Sequence, residues 1–246
     1  MTEPIRIEKA KLYDKYRLPY AREMVDDLLE HVGNTEVLAD IGAGTGQLSR
    51  LFVEKFKKIY AIEPNPSMRQ VAQDGLKNYP HIKVIDAYAE DTTLSENSID
   101  LIVIGNAFHR FKQDAIEESL RILKNSGWVA LVSYSFTNKL FTAMLFGELS
   151  KLEGLASRTK RTWHRIPTEN LFRGKQIYTL NYPQSLTEDW NAFWGVAYSG
   201  IEAPQPNDDD FDRFMEINRK VFDRFSVNNH IRIDYETKVM FGQPNR

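Results

Sequence analysis

The chain has 246 residues, of which 42% are hydrophobic, 12% aromatic and 27% charged, so it can bury a substantial core and is not predominantly disordered. Its 32 basic and 34 acidic residues give a net charge of -2, without the basic excess that a phosphate-backbone binder needs. The absence of cysteine excludes disulfides, thiolate metal sites, iron–sulfur clusters and cysteine nucleophiles.

The N-terminal segment Met1–Lys9 has no apolar stretch of the kind found in signal peptides. No run of residues approaches the roughly 18 apolar residues of a membrane span. We therefore expect a cytoplasmic protein that binds neither membranes nor nucleic acids. The five histidines are scattered without the spacing of a ligand set, and we expect no metal site.

Strand and helix patterns alternate along the first half of the chain. Apolar residues recur at helical spacing from Met24 to Val32, and Gly33 ends this helix. The segments predicted after it are strands at 37–41, 59–62, 83–87, 99–104 and 127–134, and helices at 47–56, 66–76 and 114–123. This alternation predicts a doubly wound, mostly parallel α/β sheet whose ligand lies at the carboxyl ends of the strands.

The pattern changes after residue 135. Helices are predicted within 136–173, around 190–197 and at 211–225, and a proline- and aspartate-rich loop covers 204–210. The last run, 231–241, alternates strictly between apolar and polar residues, which predicts a half-exposed antiparallel strand. We expect a single domain over residues 1–246, with a core at about 20–135 and 174–246 and an insertion at about 136–173 that covers the site.

Three glycines, Gly42, Gly44 and Gly46, follow the first predicted strand. Without Cβ atoms they permit a tight turn and a close approach of the backbone to a ligand. Their G-x-G-x-G spacing differs from the G-x-G-x-x-G of dinucleotide sites, and Asp40 stands two residues before them. Glu63 ends the second strand, where a carboxylate can accept both hydroxyls of a ribose in hydrogen bonds worth roughly 1.5–3 kcal/mol each. A nucleotide or NAD site and an empty turn are the alternative interpretations of the glycine loop.

Four ordered segments resemble the motifs of class I S-adenosylmethionine (SAM) dependent methyltransferases, and most of all their small-molecule subgroup, methyltransferase type 11. They are the glycine loop 37–47, Ala61–Met68, Asp86–Asp91 and Ile99–Phe111, and Tyr13–Tyr20 resembles the lead-in of that subgroup. The resemblance implies a Rossmann-like class I methyltransferase fold with a seven-stranded sheet, a helical insertion over the site, and SAM as the cofactor. It does not extend past about residue 136, so it implies nothing about the acceptor.

The resemblance also implies roles for individual residues. It assigns the methionine end of the cofactor to Asp40 and to the backbone of Gly42, Ala43 and Gly44, and the ribose to Glu63. Pro64 and Met68 would lie against the faces of the adenine, and Ala89 and Glu90 at its edge. Asn106 and Ala107 would surround the sulfonium and the methyl group.

Methyl transfer from SAM depends on positioning more than on a catalytic triad. Alignment of two reactants contributes roughly 7–11 kcal/mol, whereas a general base contributes roughly 3–5 kcal/mol. His109, directly after the fourth strand, is the candidate catalytic base, with simple packing between aromatic neighbours as the alternative. Arg17 could close over the cofactor from an N-terminal helix or belong to an ordinary half-exposed helix face. Arg110 stands where the subgroup often has tryptophan, which changes the expected acceptor pocket.

Two clusters are candidates for contact with an acceptor. A basic cluster suits a carboxylate, with a solvated surface as the alternative, and comprises Arg158, Lys160, Arg161, His164 and Arg165. An aromatic cluster suits an apolar or planar acceptor, with core packing as the alternative, and comprises Trp190, Trp194 and Tyr198.

We therefore predict a SAM-dependent methyltransferase that acts on a small acidic or aromatic acceptor, and we make no prediction of its oligomeric state. Three alternatives stay open: a macromolecular methyltransferase, a SAM-fold enzyme that performs cyclisation or sulfonium modification, and a nicotinamide oxidoreductase or nucleotide-binding module. Methylation of nucleic-acid amino groups is disfavoured, because the segment after the fourth strand lacks the N/D-P-P-Y/F signature.

Overall fold

The computed structural model describes residues 5–33, 36–162 and 166–245. One sheet contains the eight strands found among these residues: β1 (Val37–Ile41), β2 (Lys58–Ile62), β3 (Ile82–Ile85), β4 (Ile99–Gly105), β5 (Leu123–Phe136), β6 (Tyr178–Glu188), β7 (Ser226–Val227) and β8 (His230–Gly242).

The α-helices are distributed along the whole described chain. They are α1 (Ile7–Tyr16), α2 (Met24–Val32), α3 (Pro66–Leu76), α4 (Gln113–Ile122), α5 (Lys139–Leu149), α6 (Glu153–Thr162), α7 (Thr168–Phe172), α8 (Trp190–Ser199) and α9 (Phe211–Phe225), with 3₁₀ turns at Ser49–Phe52 and Phe108–Arg110. Among the described residues, none of these helices has the length and hydrophobicity needed to cross a bilayer.

The strand order confirms the predicted fold class. The sheet runs β3-β2-β1-β4-β5-β8-β6, and β7 forms a short hairpin with β8. The first five strands are parallel, whereas β8 is antiparallel to both of its long neighbours, β5 and β6. The connections reverse direction between β1 and β4, and a doubly wound sheet opens a ligand crevice at that point.

Both faces of the central strands are buried, as expected for a parallel sheet covered by helices. One face packs against α4 and α7, which contribute Ile116 and Phe172 to the core. The opposite face packs against α2 and the first 3₁₀ turn through Leu28 and Phe52. This packing fixes the carboxyl ends of β1 and β4 side by side.

A second apolar cluster covers the long C-terminal strands. Helices α5, α8 and α9 contribute Phe141, Phe193 and Phe222 to it. On α8, the Trp194 ring stacks on Tyr198 at 5.4 Å between centroids and lies 5.7 Å from Phe214 of α9. Trp190 stacks on the other side of Trp194 at 5.9 Å. The structure thus places the predicted aromatic cluster in the packing between two helices.

Two segments differ from the sequence prediction. The expected helix at 47–56 is a 3₁₀ turn at Ser49–Phe52 flanked by further turns, in which Leu51 N donates to Leu48 O. The helical prediction was wrong there because hydrogen bonds to the third preceding residue suffice to bring Leu48 and Phe52 into the core. Strand β6 was not predicted, because it contains Pro183 and has no fully buried residue, both typical of an edge strand.

Candidate functional site

The glycine loop adopts a backbone conformation that favours glycine. Gly42, Gly44 and Gly46 have φ angles of 75°, 58° and 80°. A Cβ atom on Gly42 would lie 2.7 Å from the Cβ of Ala107, whereas one on Gly44 would meet nothing within 4 Å. Gly42 is therefore required for packing against the segment after β4, and Gly44 borders open space.

A recess lies directly beside this loop. It encloses about 300 Å³ of space free of atoms, part of it open to solvent. Its walls come from the N-terminal segment, the end of β1, the glycine loop and the end of β4, and consist of Tyr13, Tyr20, Asp40, Gly42, Ala43, Gly44, Thr45, Gln47, Leu48 and Gly105. The described residues of 136–173, expected to cover the site, contribute none of these walls.

Asp40 is fully buried at the bottom of the recess. Its Oδ2 accepts a hydrogen bond of 2.6 Å from Ser49 Oγ, while its Oδ1 and the neighbouring Thr45 Oγ1 have no partner among the described residues. Burial raises the pKa of Asp40 to about 7; the charge of Glu63 adds to this, and the bond from Ser49 opposes it. Because buried polar atoms are nearly always paired in folded proteins, Oδ1 and Oγ1 indicate the place of a polar ligand.

Glu63 follows β2 and is held by two backbone amides. Its Oε2 accepts from Gly44 N and its Oε1 from Asn65 N, each at 2.8 Å. Burial raises the pKa of Glu63, against the effect of these two bonds. Each carboxylate oxygen retains a second lone pair, so both can accept a further hydroxyl. Glu63 is not in the wall of the recess but is joined to it through Gly44.

The turn after Glu63 is rigid. Asn65 caps α3 by accepting from the backbone N–H groups of Ser67 and Met68 at 3.1 and 3.0 Å. Arg69 donates to the carbonyl oxygens of Glu63 and Pro64 at 3.0 and 2.9 Å. These bonds fix the direction in which Glu63 leaves the sheet.

The segment after β4 contacts both sides of the recess. Asn106 has a φ of 50° and donates its backbone N–H to Val132 O at 2.9 Å. Its Nδ2 donates to the hydroxyl of Tyr20 at 3.0 Å. Ala107 packs against Gly42, so the predicted pair Asn106 and Ala107 links the N-terminal segment to the glycine loop.

Arg17 lies between two tyrosine rings at the same edge. Its guanidinium carbon is 4.8 Å from the ring centre of Tyr13 and 5.1 Å from that of Tyr134. Arg17 Nε and the Tyr134 hydroxyl are buried and lack a partner among the described residues. Tyr134 was not among the predicted site residues, although its position at the end of a strand on the ligand edge was a signal for it.

Helix α1 is fastened to the glycine loop. Gln47 Nε2 donates to Asp14 O at 2.8 Å, and Arg50 forms a 2.7 Å ion pair with the Asp14 carboxylate. Arg50 also donates to Thr45 O at 2.8 Å. These contacts were not predicted, because residues so far apart along the chain show no mutual pattern.

His109 is half-buried in the 3₁₀ turn Phe108–Arg110 and does not line the recess. Burial lowers the pKa of His109 to about 4; the charges of Arg110 and Arg17 act in the same direction and that of Glu202 opposes them. The imidazole is therefore neutral at pH 7 and able to accept a proton. Arg110 forms an ion pair with Glu202, which lies in the loop between α8 and α9.

The residues assigned to the adenine are spread along the neighbouring strand ends. Met68 is 2% exposed and packs with Ala10 of α1, whereas Pro64, Ala89 and Glu90 are half-buried. None of the four lines the recess. Their assigned role stays a prediction.

Part of the predicted basic cluster is used within the protein. Arg158 contacts the carboxylates of Asp208 and Asp210 at 3.3 Å, and Lys160 is exposed. The side chain of Arg161 and all of His164 and Arg165 lie outside the described residues. The acid partners of Arg158 favour a structural role for this residue over the expected contact with an acceptor.

Comparison with known proteins identifies relatives of this chain. Residues 39–131 match a family described as a methyltransferase domain. An uncharacterised methyltransferase of Mycobacterium tuberculosis is 30% identical over 179 residues, which are 72% of this chain and 71% of that protein. A methyltransferase-like protein of Schizosaccharomyces pombe is 28% identical over 174 residues, covering 69% of this chain and 66% of the relative.

Solved structures share the same fold. A candidate type II methyltransferase from Anaeromyxobacter dehalogenans superimposes with a TM-score of 0.58 at 20% identity over 94% of this chain and 100% of its own. A candidate methyltransferase of an antibiotic biosynthesis pathway in Anabaena variabilis gives a TM-score of 0.60 at 20% identity, covering 91% and 98%. At these identities the similarity concerns the fold alone.

Proposed function

This chain belongs to the methyltransferase family, and we propose that it transfers the methyl group of S-adenosyl-L-methionine to a small organic acceptor. The observation that carries the proposal is a pair of buried oxygens, Asp40 Oδ1 and Thr45 Oγ1, which line a recess next to a glycine loop and have no partner in the described part of the chain. A buried acid with a free oxygen suits a ligand that brings a cation and hydrogen-bond donors.

The residues present fit the methionine part of this cofactor. Asp40 Oδ1 would accept from its ammonium group, and the backbone of Gly42, Ala43 and Gly44 leaves space for it. Arg17, whose Nε is buried and unpartnered among the described residues, would bind its carboxylate.

The adenosine part would lie along the strand ends next to the recess. Glu63, already oriented by two amides, would accept the two ribose hydroxyls through its remaining lone pairs. Pro64 and Met68 would flank the adenine, with Ala89 and Glu90 at its edge. The residues proposed for the ribose and for the adenine follow strands whose carboxyl ends lie at the same edge of the sheet.

When bound, the cofactor supplies a methyl group that is already activated by a positive sulfonium. The chain then has to hold the acceptor in line and exclude water, which accounts for most of the rate. Asn106 and Ala107 would border the methyl group. The oxygen of the Tyr20 hydroxyl accepts from Asn106, so its own hydrogen is available to a ligand in the recess.

His109 is proposed as the group that takes the proton of the acceptor. It is neutral at pH 7, because burial lowers its pKa to about 4, and it therefore starts in the form that accepts a proton. A base this weak drives proton transfer poorly. Positioning by the surrounding segments, more than His109, would carry the reaction.

Isothermal titration calorimetry with S-adenosylhomocysteine tests the cofactor assignment. The wild-type protein is expected to bind it and to give no comparable heat with NAD. Glu63→Gln should weaken binding by about tenfold or more, because a neutral amide loses a charge-assisted acceptor worth roughly 1.5–3 kcal/mol. Glu117→Gln, on the exposed face of α4, is the matched control and should bind like the wild type.

Turnover is then measured with a labelled methyl donor on small-molecule fractions of a cell extract. A product heavier by one methyl group supports the proposal, and His109→Ala should lower its rate without changing affinity for S-adenosylhomocysteine. Tight binding of NAD without binding of S-adenosylhomocysteine would contradict the assignment of SAM as the cofactor. A product of any other mass, or label found only in macromolecules, would contradict the reaction or the acceptor class.

A further inference from the structure

Glu202 lies among cationic side chains from three separate segments. Its carboxylate pairs with Arg110 of the turn after β4, and its backbone oxygen accepts from Arg158 Nε at 2.9 Å. Its charge also acts on the pKa values of Lys9, Arg17 and His109. One carboxylate thus interacts with cationic groups of the N-terminal helix, the turn after β4 and α6.

Two further carboxylates, Asp208 and Asp210, pair with Arg158 here, and the charge of Asp208 also acts on the pKa of Lys9. Within the described residues, neither Lys9 nor Arg17 forms a salt bridge with a carboxylate. Lys9 is 6% exposed, lies over the Tyr198 ring at 4.2 Å and donates to the Tyr198 carbonyl oxygen. Burial lowers the pKa of Lys9 to about 8, so the ammonium is still mainly protonated at pH 7.

The ion pair itself does little for stability. The side chains of Arg110 and Glu202 are only 30% and 20% exposed, and the cost of removing both charges from water offsets much of their attraction. Arginine is, in contrast, the side chain best suited to bind a carboxylate through two parallel hydrogen bonds. A pair of this kind next to His109 is therefore better explained by recognition than by folding.

We infer that Arg110, with Lys9 nearby, forms an anion subsite for a carboxylate of the methyl acceptor, and that Glu202 occupies this subsite until the acceptor displaces it. The inference rests on the proposed function and specifies its acceptor as a carboxylic acid. It also places Arg158 of the basic cluster beside the subsite, where this side chain is already paired with Asp208 and Asp210. The carboxylate of Glu202 competes with the acceptor for Arg110 at an effective concentration in the millimolar range. The acceptor therefore has to bind Arg110 more strongly than Glu202 does.

Removal of the internal carboxylate tests the inference. The probe is malonate, titrated into protein saturated with S-adenosylhomocysteine. Glu202→Gln should lower the dissociation constant of malonate by about tenfold or more relative to the wild type, because the competitor is gone. The double variant Arg110→Gln, Glu202→Gln should lose this gain. Glu117→Gln, which breaks another Arg–Glu pair on the surface, should leave malonate binding as in the wild type.

Equal malonate affinity in wild type and Glu202→Gln overturns the subsite, as does a gain that persists in the double variant. Weaker S-adenosylhomocysteine binding by Glu202→Gln, with unchanged malonate binding, would show that the ion pair supports the cofactor site. This result would also overturn the inferred subsite. Glu202→Ala provides a second variant if the first does not fold, since bound S-adenosylhomocysteine reports the folded site. If S-adenosylhomocysteine binds none of the proteins, wild type included, the proposed function fails and this inference fails with it.

Discussion

Asp40 is completely buried, and one of its carboxylate oxygens has no partner among the residues that the structure describes, so its protonation depends on the surrounding site. Its pKa is raised to about 7 by burial, so the folded protein without ligand binds a proton here that the unfolded chain releases near pH 4. The contribution of Asp40 to stability is therefore fully present at low pH and is lost as the pH rises through about 7.

Asp40→Asn should remove this pH dependence. In ligand-free protein, we expect the variant to be more stable than the wild type at pH 8 and no more stable at pH 4. Each kcal/mol of difference in the free energy of unfolding should shift the melting temperature by about 2–4 °C. Thermal unfolding followed by circular dichroism between these pH values provides the measurement. Asp26→Asn, in an exposed ion pair with Lys55, is the control. A difference between Asp40→Asn and wild type that is constant with pH would contradict the shifted pKa.

Whether an element could be predicted depends on whether its determining residues are close together or far apart in the sequence. Helix α3 was predicted with its observed bounds, Pro66–Leu76, because its apolar period and its N-terminal proline lie within a few residues of one another. Strand β6 was missed, because its position is decided by pairing with β8, more than 40 residues later in the chain. In the site, the glycine loop was visible as a local pattern, while the attachment of Asp14 to Arg50 was not.

Helix α1 owes its position to a glycine on a distant helix. A Cβ atom on Gly195 of α8 would lie 2.5 Å from the ring of Tyr16. Such contacts do not occur between real atoms, so any larger residue must displace the Tyr16 ring or the helix that carries it. Because α1 carries Tyr13 and precedes Arg17, its displacement should reach the recess.

Gly195→Ala should therefore destabilise the protein, although alanine is the better helix former by about 1 kcal/mol. We expect a loss of about 1–3 kcal/mol from overpacking, together with weaker S-adenosylhomocysteine binding. The matched control is Gly147→Ala in α5, where an added Cβ meets nothing within 4 Å and the helix should gain stability. Chemical denaturation measures both, and Tyr16→Ala in the Gly195→Ala background should restore part of the loss. Equal stability of both alanine variants would rule out the tight contact.

At the scale of the whole molecule, the sheet brings together segments that are far apart in sequence. The recess has walls from residues 13–20, 40–48 and 105, and the Arg110–Glu202 pair adds the loop between α8 and α9 to its surroundings. Helix α1 touches α3 on one side and α8 on the other. A ligand in the recess therefore contacts elements whose mutual positions define the fold.

Ligand binding should accordingly stabilise the entire chain and protect its N-terminal segment. At a hundredfold excess of S-adenosylhomocysteine over its dissociation constant, the gain is about 2.7 kcal/mol, or roughly 5–10 °C in melting temperature. Hydrogen exchange should slow in α1 and in the glycine loop, because Gln47 and Arg50 connect the two. The outer edge strand β6 lies far from the recess in the strand order and serves as the internal control. Protection confined to the glycine loop would show that α1 is not part of the binding site.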